Sequence, residues 1–120
     1  MASPPVGWKD MLGYSNQVCG GALACLALDT FEAKGLTPRQ ARRVAVNSRL
    51  EPAARGERLD TFFKQSVLSD PRLQNLVVTP RFRFGPDVID PVTGRWYDVT
   101  TPGHWPAHLK YGPGGVPLLY

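Results

Sequence analysis

The chain changes period at residue 76. Before it, apolar residues recur at helical spacing; after it, they alternate. In Arg81-Phe82-Arg83-Phe84 every second side chain is aromatic, the period-two signature of a strand with one buried face. Arg95-Trp96-Tyr97-Asp98-Val99-Thr100 is rich in aromatic and β-branched residues and reads as a second strand. Between them, Asp90-Pro91-Val92-Thr93-Gly94 puts Pro and Gly where a tight loop uses them. The result is a β-hairpin within residues 76–101, with Pro80 marking an edge, a bulge or a break. A hairpin is marginal in water unless something packs on it. The expected fold is therefore α+β: a helical N-terminal half packed on a small mixed β-sheet with a central hairpin.

Three helices are expected in residues 15–70. The first runs from about Ser15, capped by Ser15 or Asn16, to Lys34, where Gly35 is a stop signal. Val18 to Leu28 is apolar nearly all round, the pattern of a buried helix. Thr37-Pro38-Arg39-Gln40 has the form of a capping box with Pro at the first helical position, and Ala41, Val44 and Ala45 follow as a short apolar stripe. A third helix follows Glu51-Pro52, carries Leu59, Phe62, Phe63 and Val67 at helical spacing, and ends at Asp70-Pro71. The tail from Thr101 holds four prolines, and only His108 to Tyr111 looks like a helical turn.

At 120 residues with 42% hydrophobic content, one small domain is expected. Its parts are an arm (1–14), a helical part (15–70), a hairpin core (76–112) and a tail (113–120). No apolar run approaches the roughly 20 residues of a membrane span. The start lacks the basic and apolar regions of a cleaved secretory signal. Cys19 and Cys25 stand six apart in one apolar segment; on one helix they point in different directions, so both are expected as small buried thiols rather than a disulfide.

The net charge is +4, and it is carried by Arg39 to Lys64, which holds seven bases and three acids. A basic helix pair reads either as a phosphate-facing surface or as a solvated face. Arg39, Arg42, Arg43 and Arg49, with Arg81 and Arg83 of the first strand, are the candidate nucleic-acid contacts.

The hairpin concentrates acid at Asp87, Asp90 and Asp98. With residues 90–94 as the loop, 89 pairs with 95, which makes Asp87 and Asp98 neighbours across the ladder. A shift of one residue makes them directly opposite, with Cβ atoms about 4.5–5.5 Å apart. Two carboxylates that close repel unless a proton or a cation lies between them. Mg²⁺ takes one or two carboxylates, polarises a phosphoryl oxygen and lowers the pKa of an attacking water. The alternative is that Asp90 caps the turn while Asp87 and Asp98 point apart into solvent.

Gly85-Pro86-Asp87 through Trp96-Tyr97-Asp98-Val99-Thr100 resembles the core motif of PD-(D/E)XK nucleases. With its Asp-Pro-Val-Thr-Gly turn and the run Asp98 to Tyr111, the stretch from about residue 81 to 112 looks like the restriction-endonuclease-type toxin domains of bacterial polymorphic toxins. The resemblance implies a reduced restriction-endonuclease-like core. It implies a metal-dependent nuclease in which Asp87 and Asp98 hold Mg²⁺ or Mn²⁺. The third motif position is Thr100 rather than Lys, and a hydroxyl supplies no positive charge. Lys110 could take the lysine's place, or His104 or His108 could act as acid or base. An acid on the preceding helix, Glu32 or Glu57, could join them. The resemblance further implies the C-terminal toxin part of a larger secreted protein, delivered to the cytoplasm of a target cell and held off in its producer by a cognate immunity protein.

Two other readings compete. Cys19, preceded by Gln17-Val18 at a helix start, is similar to the nucleophile helix of papain-like peptidases, with His104 or His108 as partner. There the expected order is Cys, His, Asp, yet Asp98 precedes both histidines. The third reading is a non-catalytic basic module that binds nucleic acid or protein. Trp96, Tyr97 and Trp105 are expected mainly as packing.

Overall fold

The computed structural model describes residues 22–120. The arm, the Ser15/Asn16 cap and Cys19 lie outside the described residues. Within them stand four α-helices and one four-stranded mixed sheet. None of the described helices is long and apolar enough to cross a membrane.

Helix α1 (Ala22–Lys34) ends where expected: Gly35 takes φ 67° and its N–H donates to the Phe31 carbonyl at 2.6 Å. Among the described residues α1 is not buried all round. Leu23, Ala24 and Ala27 face α3, while Leu26 is 49% exposed, because α3 (Glu51–Ser69) is the helix that covers it. Cys25, in the first turn of α1, is disulfide-bonded, which corrects the expected thiol. That expectation rested on one helix carrying both cysteines, and the described helix begins only at Ala22.

Helix α2 (Pro38–Val46) has the expected capping box in both directions: Gln40 N–H donates to Thr37 Oγ1 at 3.1 Å, and Thr37 N–H to Gln40 Oε1 at 3.0 Å. Its apolar stripe does not seat in the core; Ala41 and Ala45 are exposed and Val44 half-buried. The helix is pinned instead through Gln40, its one buried residue, whose Nε2 reaches the Ala54 carbonyl and Glu57 Oε2. Helix α3 buries Leu59, Phe62, Phe63 and Val67 against α1 on one side and the sheet on the other.

The sheet runs β1 (Val77–Val78), β2 (Val88–Ile89), β3 (Trp96–Thr100), β4 (Gly115–Leu119) in that spatial order. β1–β2 and β2–β3 are antiparallel and β3–β4 parallel. The first expected strand is much shorter than its alternation suggested. β1 stops at Val78, residues 79–87 form a loop, and Phe82 and Phe84 lie 85% and 99% exposed. Pro80 lacks the N–H a ladder needs; the chain turns there, with Arg83 N–H bonded to the Pro80 carbonyl. The tail is not a tail: Gly115–Leu119 pairs along the whole of β3. A parallel neighbour requires a crossover. Helix α4 (Trp105–His108) and the 3₁₀ turn Leu109–Tyr111 supply it.

Alternation along β3 sends Tyr97 into the core with Val88, Leu118 and Phe63. Trp96, Asp98 and Thr100 take the other face. There Trp96 packs on Trp105 (5.4 Å between centroids) and on the edge of Tyr111 (5.7 Å), and its indole N–H donates to the Pro113 carbonyl. A Cβ at Gly115 would overlap the Trp96 indole. We expect Gly115→Ala to lower the stability by about 1–3 kcal/mol through overpacking. Thermal unfolding, compared with Gly103→Ala, where a Cβ meets nothing, measures it.

Candidate functional site

The hairpin turn is built by Asp90. Its side chain is fully buried and accepts from Val92 N–H and from the Thr93 hydroxyl, each at 3.0 Å. Asp90 N–H donates to the Arg95 carbonyl at 2.7 Å, and Gly94, at φ 76°, closes the turn. The ladder pairs Ile89 with Trp96 and Val88 with Tyr97. This is the shifted register, and its continuation sets Asp87 opposite Asp98.

The two acids do not point apart into solvent. Asp98, 2% exposed, accepts the Asp87 N–H on Oδ1 at 2.6 Å; Asp87 accepts the Val99 N–H on Oδ2 at 2.8 Å. Each carboxylate thus completes the other strand's backbone hydrogen bonding where the regular ladder stops. The second oxygen of Asp98 meets His108 Nδ1 at 2.5 Å. Facing a carboxylate, Nδ1 donates, which leaves Nε2 turned to the Thr100 hydroxyl at 3.5 Å. The imidazole is held between Trp105, stacked at 6.2 Å, and the edge of Tyr111 at 6.1 Å.

Helix α3 contributes the groups that sequence reading missed. Lys64 Nζ lies 3.1 Å from Asp60 Oδ2 and 3.4 Å from Asp87 Oδ1, all three side chains being at most 20% exposed. Asp60 Oδ1 is buried and meets no hydrogen-bond donor while Asp87 is ionised. Its neighbour is the Asp87 carboxyl, whose pKa is pushed up to about 9. Burial is the largest cause, followed by the hydrogen bond and charge of Asp60 and the charge of Asp98, against the Val99 N–H. The signal for this set is the 57, 60, 64 spacing, which aligns Glu57, Asp60 and Lys64 on one helix face.

An open cleft of about 740 Å³ lies at the C-terminal ends of β3 and β4. Asp60, Glu57 and Arg49 line it from the helical side, Asp87 and Arg81 from the loop, Thr100 from β3, His104 from just before α4 and His108 from its end. Of the predicted site residues, Asp87, Thr100, His104 and His108 meet there, and Asp98 lies directly beneath His108. His104 is exposed at the rim, its Nδ1 2.8 Å from Thr101 Oγ1. Lys110 does not line the cleft; its Nζ lies over the Tyr111 ring. Of the two acids weighed on the preceding helices, Glu57 lines the cleft and pairs with Arg81 at 2.6 Å, whereas Glu32 is exposed beside Arg55.

The basic helices divide. Arg55, Arg58 and Lys64 turn inward, Arg55 over Phe31 and Tyr120, Arg58 over Phe62 with its Nε on the Gly35 carbonyl. Arg39, Arg42 and Arg43 are exposed along a separate shallow groove on α2. Arg49 and Arg81 alone of the six predicted contacts line the cleft, and Arg83 is exposed in the 79–87 loop.

Whether a divalent ion fits turns on which oxygens are open. Those of Asp98 are engaged by Asp87 N–H and His108. The unpartnered oxygen of Asp60 and the adjacent Asp87 carboxyl are the donors that suit a hard cation. Among the described residues no three His, Cys, Asp or Glu side chains are arranged to hold one, so an ion here would take two carboxylates and fill its shell with water or substrate oxygen. The chain matches no protein-family model, and no curated protein or solved structure at a significant level.

With its folded pKa raised, Asp87 keeps a proton that the unfolded chain releases near the ordinary value of 3.8. Its contribution to stability therefore falls as pH rises from about 4 to about 9. Asp87→Asn, which cannot titrate, should flatten that slope in denaturant unfolding measured across this range.

Proposed function

We propose that this protein cleaves phosphodiester bonds in nucleic acid. The observation that carries the reading is His108, oriented by the buried Asp98, opening into the same cleft as Arg49, Arg81 and the Asp60–Asp87 carboxyl pair. Asp98 holds the Nδ1 proton and leaves Nε2 free to accept one, the relation of an orienting carboxylate to a general base. Arg49 and Arg81 offer charge-assisted hydrogen bonds to a phosphate. His108 takes a proton from the attacking hydroxyl or water, and His104 at the rim hands one to the leaving oxygen. Asp60 and Asp87 are the residues that would hold Mg²⁺ or Mn²⁺. Such an ion polarises a phosphoryl oxygen and makes a bound water more acidic. Lys64 pairs with the same carboxylates from outside the cleft lining and is the lysine that would stand in for the one absent at position 100.

The opposition of Asp87 and Asp98 across the hairpin supports a reduced restriction-endonuclease-like core, the finer form of the α+β fold. With that likeness goes the reading of a toxin domain of a secreted effector, acting in a target cell and neutralised by an immunity protein that covers the cleft. DNA and RNA both suit the cleft's charge.

Plasmid DNA and total RNA incubated with Mg²⁺, Mn²⁺ or EDTA test the reading. We expect cleavage that EDTA removes. His108→Ala should lower kcat by about 10²–10⁴-fold, the usual worth of a positioned acid or base. Asp98→Asn should lower kcat and move the pH profile while leaving KM unchanged. If EDTA and both variants leave the rate untouched, this site is not the catalytic one; if neither nucleic acid is cleaved with either ion, the protein is a binding module.

A further inference from the structure

The 79–87 loop displays a surface that the cleft chemistry does not use. Phe82 and Phe84 are 85% and 99% exposed, the two most exposed aromatic side chains of the described residues. They alternate with Arg81 and Arg83, and no acid stands between Pro80 and Pro86. The loop is braced rather than loose: Thr79 N–H donates to the Asp87 carbonyl at its neck, Arg83 N–H to the Pro80 carbonyl at its tip, and Arg81 is paired with Glu57 at 2.6 Å. Arg81 also lines the cleft, so the two rings stand one and three residues from its mouth.

An exposed apolar patch of this kind marks an interaction site. Its chemistry narrows the partner. Aromatic faces interleaved with guanidinium groups match a chain that alternates flat bases with phosphates. A duplex keeps its base faces covered, whereas a single strand offers them for stacking. We propose that Arg81–Phe84 is a single-strand grip. Phe82 and Phe84 stack on unpaired bases, Arg83 takes a backbone phosphate, and the strand continues past Arg81 into the cleft. The proposal rests on the nuclease reading and adds its substrate class: single-stranded nucleic acid, or unpaired segments of a folded one.

Fluorescence anisotropy in EDTA, with short labelled oligo(dT), oligo(U) and a duplex of equal length, tests it. The double variant Phe82→Ala/Phe84→Ala should weaken both single strands by roughly tenfold or more, the scale of losing one or two base–aromatic stacks. Duplex affinity should stay the same, and Phe82→Trp/Phe84→Trp should retain binding. Loss confined to oligo(U) would restrict the substrate to RNA. Since both rings are in solvent, the thermal midpoint of the alanine variant should equal that of the parent, and Val92→Ala, exposed in the β2–β3 turn, should bind like the parent. Unchanged single-strand affinity in the alanine variant, or an equal loss on duplex, overturns the grip and leaves the loop as a protein-docking patch. The two readings fail separately. A protein that binds single strands through these rings but cleaves nothing keeps the grip and loses the nuclease. One that cleaves with the rings removed and its affinity intact does the reverse.

Discussion

Asp87 and Asp98 exchange hydrogen bonds across the hairpin, each carboxylate taking an N–H of the facing strand, and the rest of the site follows from that exchange. It extends β2–β3 pairing beyond a two-residue strand, where few ladder bonds are available. It turns one oxygen of Asp98 to His108, which seats α4 against the sheet. It leaves one oxygen of Asp87 for Lys64, which ties α3 to the same point. Removing either acid would leave a part-buried backbone N–H unpaired.

The arrangement concentrates negative charge where water is scarce. Asp60, Asp87 and Asp98 are all more than three-quarters buried as side chains or residues, and one lysine serves two of them. Burial above all, and then the neighbouring Asp60 and Asp98 carboxylates, raise the Asp87 pKa, and a proton there relieves both. Such a site has a stored demand for positive charge, and a bound cation would answer it in the proton's place. The neighbouring arginines, Arg49 and Arg81, line the same cleft, so that acidic and basic groups face one space.

Much of this was legible in residues 85–100. The Pro-Gly turn predicts the hairpin, and the spacing of Asp87 and Asp98 makes them cross-strand neighbours; that they face each other rather than point apart was settled by the one-residue shift in register. The capping box at Thr37 and the stops at Gly35 and Asp70 are local chemistry and appear as read. The strand expected at 76–84 was not legible correctly, because alternation reports which faces differ and not whether anything covers them. Pro80 ended the ladder, so Phe82 and Phe84 came out into solvent. Lys64 and Asp60 were missed because each reads as part of an ordinary charged helix face. They became site residues only when α3 lay across the hairpin.

The sequence by itself determined the helices, the central hairpin and the pair of acids on it, since turns, caps and cross-strand neighbours depend on residues close along the chain. Which lysine and which histidine join those acids was decided by tertiary structure. Lys64 arrives from α3 and His108 from the crossover to β4. Lys110, only two residues beyond His108, is carried away to the Tyr111 ring. The pairing of Gly115–Leu119 alongside β3 brings that crossover over the face bearing Asp98, and no local pattern in a proline-rich segment encodes a partner so distant along the chain.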